Sequence, residues 1–431
     1  MTDPFPFQND GIDFLAGRTA AMLADDPGLG KTFQTIRAAD KRVALRVLVI
    51  CPASVIGTWL NEIRNHSEGG WEHFVTSYER ATGRDYDHIM SEFWDVLVVD
   101  EAHALKSVGA KRTKSIYGFT AEDGLKRVDA IIDRAEAVWL LTGTPMPNNP
   151  SELYPHLRAL APSRVTSERN GKIWSIYQFV ASYCLTKSNG FGLAIVGARN
   201  EAKLHSKLHG FMLRRRKSEV LKDLPPLRFG EVHIEGDLDA LPAEEVKIVQ
   251  AALAKGGFDA LKDVAGHVGV LRRLTGLAKL PATIAWLKDW LDSSAGGKIV
   301  VFAYHKDVIA GLRNAFGAMA VVLDGSTPIA QRQVAVDRFQ KEPKVRVFIG
   351  QMTAAGVGIT LTAASDMLVV ESSWVPAEIS QATQRIHRIG QTESCLVRFA
   401  SIPNSIDEDI QRAVARKVTM IDAVIEGKGQ S

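Results

Sequence analysis

The sequence predicts an α/β protein built from two doubly wound lobes with parallel sheets, joined by helical insertions. Three observations carry this reading. Short β-rich runs at residues 20–24, 46–50, 95–99 and 137–141 each end in a polar or glycine-containing turn, the pattern of strands buried on both faces. Helical periodicity fills the gaps between them, as at residues 31–39 and 55–63, and strand–helix alternation winds a parallel sheet. The same scheme returns at residues 298–303, 320–323, 345–349, 367–370 and 396–400.

Composition sustains cores of that size. Of 431 residues, 46% are AVILMFWYC and 23% are charged, enough for two or three domains. A net charge of +3 excludes a histone-like basic chain and a strongly acidic one, so any nucleic-acid face is local. Cys51, Cys184 and Cys395 are far apart and form no CxxC, which excludes a disulfide scaffold, argues against structural zinc and suits a reducing compartment. No apolar run approaches the roughly 20 residues of a membrane span, and the first residues lack the pattern of a secretory signal.

The expected lobes are residues 1–150 and 292–431, with a helical protrusion over 151–228 and a second protrusion and linker over 229–291. Residues 199–228 carry nine Lys or Arg against Glu201, Glu219 and Asp223, a local excess above the total for the whole chain. Pro225-Pro226 then breaks the helical pattern and makes a hinge.

The run Asp25-Asp26-Pro27-Gly28-Leu29-Gly30-Lys31-Thr32 lies between a strand and a helix, where a phosphate-cradling loop belongs. Gly28 and Gly30 let backbone amides approach phosphate oxygens, Lys31 supplies a positive charge, and the Thr32 hydroxyl suits Mg²⁺. Asp25 stands where the general pattern has its first glycine. The alternative is a glycine-rich turn followed by a chance Lys-Thr.

The strand at residues 96–99 ends in Asp100-Glu101, followed by Ala102-His103. Asp100 suits Mg²⁺, and Glu101 suits the orienting of an attacking water. A plain acidic surface turn explains the pair poorly, since a buried strand ending in two acids wants a cation. In residues 381–391, Arg385 and Arg388 are three apart on an expected helix, where they would share one face. They suit arginine fingers on a γ-phosphate, or a solvated helix face.

With these elements in order, the chain resembles superfamily-two ATPases of the SWI/SNF type, most like their annealing-helicase branch. The resemblance runs from Pro6-Phe7-Gln8 to about Arg398. Cys51-Pro52-Ala53-Ser54 with Trp59 and Glu62 resembles motif Ia, Thr76-Ser77-Tyr78-Glu79 motif Ib, and Leu141-Thr142-Gly143-Thr144-Pro145 motif III. Leu323-Asp324-Gly325-Ser326-Thr327 with Arg332 and Phe339 is similar to motif IVa, and Thr353-Ala354-Ala355-Gly356-Val357-Gly358-Ile359 to motif V. Met212-Leu213-Arg214-Arg215-Arg216-Lys217, Phe302-Ala303-Tyr304-His305-Lys306 and Glu371-Ser372-Ser373-Trp374-Val375-Pro376 resemble the branch. Asp26-Pro27 stands where the family has Glu-Met.

The resemblance implies RecA-like lobes with ATP in the cleft between them. Gln8 is then expected at the adenine, Gly28, Leu29, Gly30, Lys31, Thr32 and Asp100 at the nucleotide and its Mg²⁺, and Lys31, Glu101, Arg385 and Arg388 in catalysis. Ser54, Gly325, Ser326, Arg332, Thr353 and Gly356 are the expected DNA contacts. The basic run at residues 214–217 reads as a DNA-facing brace, a solvated helix face or a nuclear-localisation patch; its place in the family pattern disfavours the last. His205, His209 and His305 read as ordinary packed or surface residues, and Trp374 as cleft floor or core.

The function expected is ATP-driven translocation on double-stranded or branched DNA, independent of base sequence, that remodels or rewinds without conventional strand separation. The alternatives are a strand-separating DNA or RNA helicase, told apart by a strand-displacement assay, and a catalytically inactive ATP-gated DNA clamp. The clamp is disfavoured by the presence of Lys31, Asp100, Glu101, Arg385 and Arg388 together. With motifs from Gln8 to Gln391, the chain reads as a monomeric bare engine aided by a targeting protein, without a membrane partner, in the cytoplasm of a bacterial or viral host cell.

Overall fold

The computed structural model describes residues 3–188, 193–237, 241–256, 264–352, 359–373, 376–403, 405–408 and 410–411. They divide into two compact units, the first holding residues up to Thr186 and Ile195–Lys222, the second Lys187–Ala194 and the residues from Asp223, two residues before the Pro225-Pro226 pair.

Six strands of the first unit make one parallel sheet. In chain order they are β1 (Ala20–Leu23), β2 (Arg46–Cys51), β3 (Glu72–Ser77), β4 (Trp94–Asp100) and β5 (Ala135–Leu141); β6 (Cys184–Ser188) and β7 (Leu193–Ala198) form a separate ribbon, and β8 (Met212–Leu213) joins the sheet. The spatial order is β3-β2-β4-β5-β1-β8, with Val47–Ile50 of β2 opposite Val96–Val99 of β4. Leu48, Ile50, Leu97, Val99, Val138 and Leu140 supply one buried face, against Trp94, Tyr117, Phe119 and Phe179. Helices α1 (Pro6–Ala16), α2 (Lys31–Lys41) and α3 (Ile56–His66) pack in sequence, α1 on α2 and α2 on α3. Because β4, β5 and β1 are neighbours, their carboxyl ends lie side by side, the edge at which open parallel sheets hold ligands.

The second unit repeats the plan with β9 (Leu227–His233), β10 (Ile299–Ala303), β11 (Ala320–Leu323), β12 (Val347–Gln351), β13 (Asp366–Val369) and β14 (Cys395–Ser401). All pairings are parallel, in the order β11-β12-β10-β13-β14-β9. The central strand β10 shows why an unbroken apolar run was needed: Val300 and Phe302 pack with Phe339 and Phe348 on one face, Ile299 and Val301 with Leu312 and Phe316 on the other.

The segment read as helical carries helices Ile176–Tyr183, Ala243–Gly256, Ala265–Ala278 and Leu280–Ser293, together with edge strands β8 and β9. No helix among the described residues is long and apolar enough to cross a membrane.

Candidate functional site

The loop after β1 has the backbone a phosphate cradle needs. Gly28 and Gly30 sit at φ +89° and +79°, and Gly30 is the N-cap of α2. A Cβ at Gly30 would stand 2.5 Å from Gln8 Nε2, so only glycine leaves room for the Gln8 amide. That buried amide donates to the Leu29 carbonyl at 3.2 Å, while its oxygen accepts from the Phe5 amide at 3.0 Å. Lys31 opens α2 and donates through Nζ to the Asp25 carbonyl at 2.8 Å; Thr32 follows it on the helix. Burial holds the Lys31 pKa below the usual lysine value against the opposing pull of Glu101, Asp25 and Asp100.

The acid pair stands at the carboxyl end of β4. Asp100 Oδ2 accepts from Trp59 Nε1 at 2.9 Å and Oδ1 from the Glu101 amide at 2.9 Å. Burial and the adjacent Glu101 carboxylate raise the Asp100 pKa above the ordinary aspartate range. Glu101 is held in the left-handed region at φ +51°, uncommon for a side-chain-bearing residue, and its Oε2 lies 3.3 Å from His103 Nδ1. The Tyr78 hydroxyl donates to the Asp100 carbonyl at 2.6 Å, so motif Ib braces this turn. His103 Nδ1 also lies 3.3 Å from Thr142 Oγ1, at the end of β5. A Cβ on the next residue, Gly143, would meet Pro27 Cγ at 2.5 Å, so motif III lies against the phosphate loop at the proline that departs from the family pattern.

The basic run does not form a solvated helix face: Arg214, Arg215 and Arg216 precede the short helix Lys217–Val220. It leaves β8 and packs behind the loop: Arg214 pairs with Asp26 at 3.3 Å and donates to the Ala24 carbonyl at 3.0 Å, Arg215 pairs with the fully buried Asp25, and the Lys217 amide donates to Asp26 at 3.1 Å. A buried carboxylate at position 25 demands a cation, and β8 brings one. Nothing local in the sequence announced that pairing.

Ser54, at the end of β2, is half-buried in a short 3-10 turn, Ala53–Val55. In the second unit, Gly325 and Ser326 are exposed on a turn after β11. Asp324 Oδ1 accepts from the Ser326 amide at 2.8 Å and its hydroxyl at 2.6 Å, bonds that hold the Asp324 carboxyl below its usual pKa. The Gly325 amide donates to Gln351 Oε1 at 2.9 Å, and Arg332 Nε to the Thr327 carbonyl at 3.1 Å. Thr353, Gly356 and Trp374 lie outside the described residues.

Arg385 and Arg388 are not on one helix face. Their helix, Pro376–Thr383, ends before them, and both lie in the turns that follow. They nevertheless converge: each Nη1 reaches the Ile359 carbonyl, at 3.5 and 3.4 Å, and Arg388 also bonds Thr360 Oγ1 at 2.8 Å. His305 is more than an ordinary packed residue, since its Nδ1 lies 2.5 Å from the buried Glu371, which also accepts from the Tyr304 amide at 2.9 Å. Two of the stretches that resemble the annealing-helicase branch thus meet in one hydrogen-bonded joint.

Residues 7–71 and 68–235 match the SNF2-related domain family, and residues 282–390 the helicase conserved C-terminal domain. A Caenorhabditis elegans protein named SWI/SNF-related matrix-associated actin-dependent regulator of chromatin subfamily A-like protein 1 homolog is 29% identical over 97% of this chain and 61% of its own length. The Mus musculus DNA annealing helicase and endonuclease ZRANB3 is 29% identical over 99% of the chain and 41% of its own length. A Drosophila melanogaster relative with the subfamily A-like protein 1 name is 30% identical over 97% and 55%. The chain therefore spans between 41% and 61% of these relatives. Among solved structures, the Sulfolobus solfataricus SWI2/SNF2 ATPase core in complex with dsDNA is 22% identical, covers 99% of the chain and 94% of its own, and has a TM-score of 0.42. The relatives named here are animal proteins, two of them named as regulators of chromatin, which corrects the expectation of a cytoplasmic protein in a bacterial or viral host cell.

Proposed function

Because the chain belongs to the SNF2-related domain family, we propose that it is a DNA-dependent ATPase that tracks along double-stranded or branched DNA and remodels or rewinds it without conventional strand separation. One observation carries most of the weight: the carboxyl ends of the adjacent strands β1, β5 and β4 bring the glycine loop with Lys31, Thr142 and the Asp100-Glu101 pair to one edge of one sheet.

These residues fit ATP with Mg²⁺. The glycine cradle at a helix N-terminus and a half-buried lysine suit phosphates, and a hydroxyl with a carboxylate suits a hard cation. Bound ATP supplies the phosphoanhydride whose hydrolysis drives movement. Gln8 meets the adenine; the amides of Gly28, Leu29 and Gly30 and the Lys31 ammonium receive the phosphates; Thr32 and Asp100 hold Mg²⁺. Glu101 orients the attacking water, and Arg385 and Arg388 offset charge developing on the γ-phosphate. Ser54, Gly325, Ser326, Arg332, Thr353 and Gly356 hold the sugar-phosphate backbone. With its amide given to Gln351, Gly325 serves by letting the backbone approach closely.

The test compares triplex displacement with fork unwinding at equal ATP turnover. The proposal predicts that the third strand is displaced while a plain duplex stays paired. Efficient unwinding without triplex displacement would replace it with a strand-separating helicase.

A further inference from the structure

Asp25 is fully buried, 190 residues before its principal partner in sequence, Arg215. Arg215 Nε donates to Asp25 Oδ1 at 3.0 Å and Nη2 to Oδ2 at 2.5 Å, the two-pronged geometry in which a guanidinium fixes a carboxylate in orientation as well as position. The same Nη2 reaches Gln34 Oε1 on α2 at 2.8 Å, Nη1 donates to the Phe7 carbonyl on α1, and the guanidinium carbon lies 5.4 Å from the centre of the Phe7 ring. One side chain therefore ties together the loop, the helix that Lys31 opens, and the helix that carries Gln8.

The far side of Asp25 completes the connection. Its backbone carbonyl accepts from Lys31 Nζ at 2.8 Å. Gln34 Nε2 donates both to Asp25 Oδ2 at 3.2 Å and to the Leu29 carbonyl at 3.0 Å, and Gln8 Nε2 reaches that same Leu29 carbonyl at 3.2 Å. The Arg215 fork thus sets the Asp25 peptide that bears on the lysine and, through Gln34, a carbonyl inside the loop.

The fit is tight on its third side. A Cβ on Gly11 of α1 would overlap Gln34 Oε1 and stand 2.7 Å from Arg215 Nη2. Arg215 itself lies seven residues before the first unit ends at Lys222.

We infer that Arg215 is a positioning residue of the nucleotide loop, acting through Asp25 to set the Lys31 ammonium and the loop carbonyls, so that nucleotide affinity depends on how β8 is held. The inference rests on the reading of this loop as a nucleotide site, and its test separates the two.

The full chain, with Mg²⁺, is titrated with the fluorescent nucleotide mant-ADP, and folding is followed by thermal melting. Arg215→Lys keeps the charge but loses the fork, and Asp25→Asn keeps the volume but loses the charge. Each is expected to weaken mant-ADP binding by about tenfold or more. The double variant is expected to be no weaker than the worse single one, because one shared interaction is lost. Gly11→Ala leaves both charged groups in place and pushes from outside on Gln34 Oε1 and on the Arg215 Nη2 bonded to it; it is expected to weaken binding in the same direction, and it carries the test if Arg215→Lys does not fold. Lys31→Ala reports on the loop itself. If Lys31→Ala loses binding while the folded Arg215→Lys and Gly11→Ala variants keep wild-type affinity, the inference is overturned and the nucleotide site stands. If Lys31→Ala binds as wild type does, the nucleotide reading falls and the inference with it.

Discussion

The indole Nε1 of Trp59 donates to Asp100 Oδ2 at 2.9 Å, so a fully packed aromatic of α3 orients the carboxylate proposed to hold Mg²⁺. The sequence placed both residues in motifs far apart; the sheet order brings them together, because β2, which leads into α3, is the neighbour of β4.

Trp59→Phe keeps most of the packing and removes the donor. The Mg²⁺ concentration for half-maximal ATPase activity is expected to rise by about tenfold or more, the effect of one hydrogen bond to a charged group. An unchanged Mg²⁺ titration would show that the Trp59 bond does no more than pack α3.

Glu101→Gln is expected to retain ATP and Mg²⁺ binding while turnover falls by on the order of a hundredfold or more, because only the group that orients and deprotonates water is lost. Lys31→Ala is expected to weaken binding as well as turnover. Equilibrium nucleotide binding and steady-state hydrolysis, measured on the same preparations, separate these outcomes.

Arg385→Ala and Arg388→Ala are each expected to slow hydrolysis by something on the order of a thousandfold with a milder effect on nucleotide binding. Arg388 is the cleaner probe, since Arg385 is only 9% exposed and its loss also disturbs packing. Hydrolysis at the wild-type rate by folded Arg388→Ala would remove that residue from the chemistry.

His156 offers a pH test of the first unit. It is buried beside the Tyr117 hydroxyl, 2.7 Å from its Nδ1, and burial lowers its pKa from 6.5 to about 3. Between those values the unfolded chain holds a proton that the fold excludes. The stability this site contributes is therefore complete above 6.5 and is lost as pH falls toward 3, by about 1.4 kcal/mol per pH unit. His156→Gln is expected to lower the melting temperature at pH 7 and to flatten its decline between pH 6 and 5. Parallel declines in both proteins would contradict this.

Central strands were legible in the sequence because burial on both faces demands an unbroken apolar run: residues 46–50 and 95–99 lie within β2 and β4. Of the four strands that edge the two six-stranded sheets, β11 was read at residues 320–323 and the other three were not. Glu72 and His73 of β3 are exposed, Phe229 of β9 is 59% exposed, and β8 is only two residues long, so those three lack that signal. The glycine loop proposed as the phosphate cradle was legible as a turn between strand and helix because its pattern is local in the chain. The partners that orient it were not, since Asp25 and Arg215 are 190 positions apart and only the fold pairs them. The same reason hid the joint of His305 with Glu371 and the hold of Gln351 on Gly325. The helix expected to carry Arg385 and Arg388 stops at Thr383, and the convergence of both on the Ile359 carbonyl comes from the turns beyond it.

The most direct measurement is the rate of ATP hydrolysis by the full chain with no nucleic acid, duplex DNA, single-stranded DNA, forked DNA and RNA, compared side by side at one salt concentration and then across a salt series. A DNA-dependent ATPase that grips the phosphate backbone is expected to turn over fastest on duplex or forked DNA of any base sequence, with stimulation that falls as salt rises. Hydrolysis at the same rate with and without DNA, or stimulated best by RNA, would contradict it.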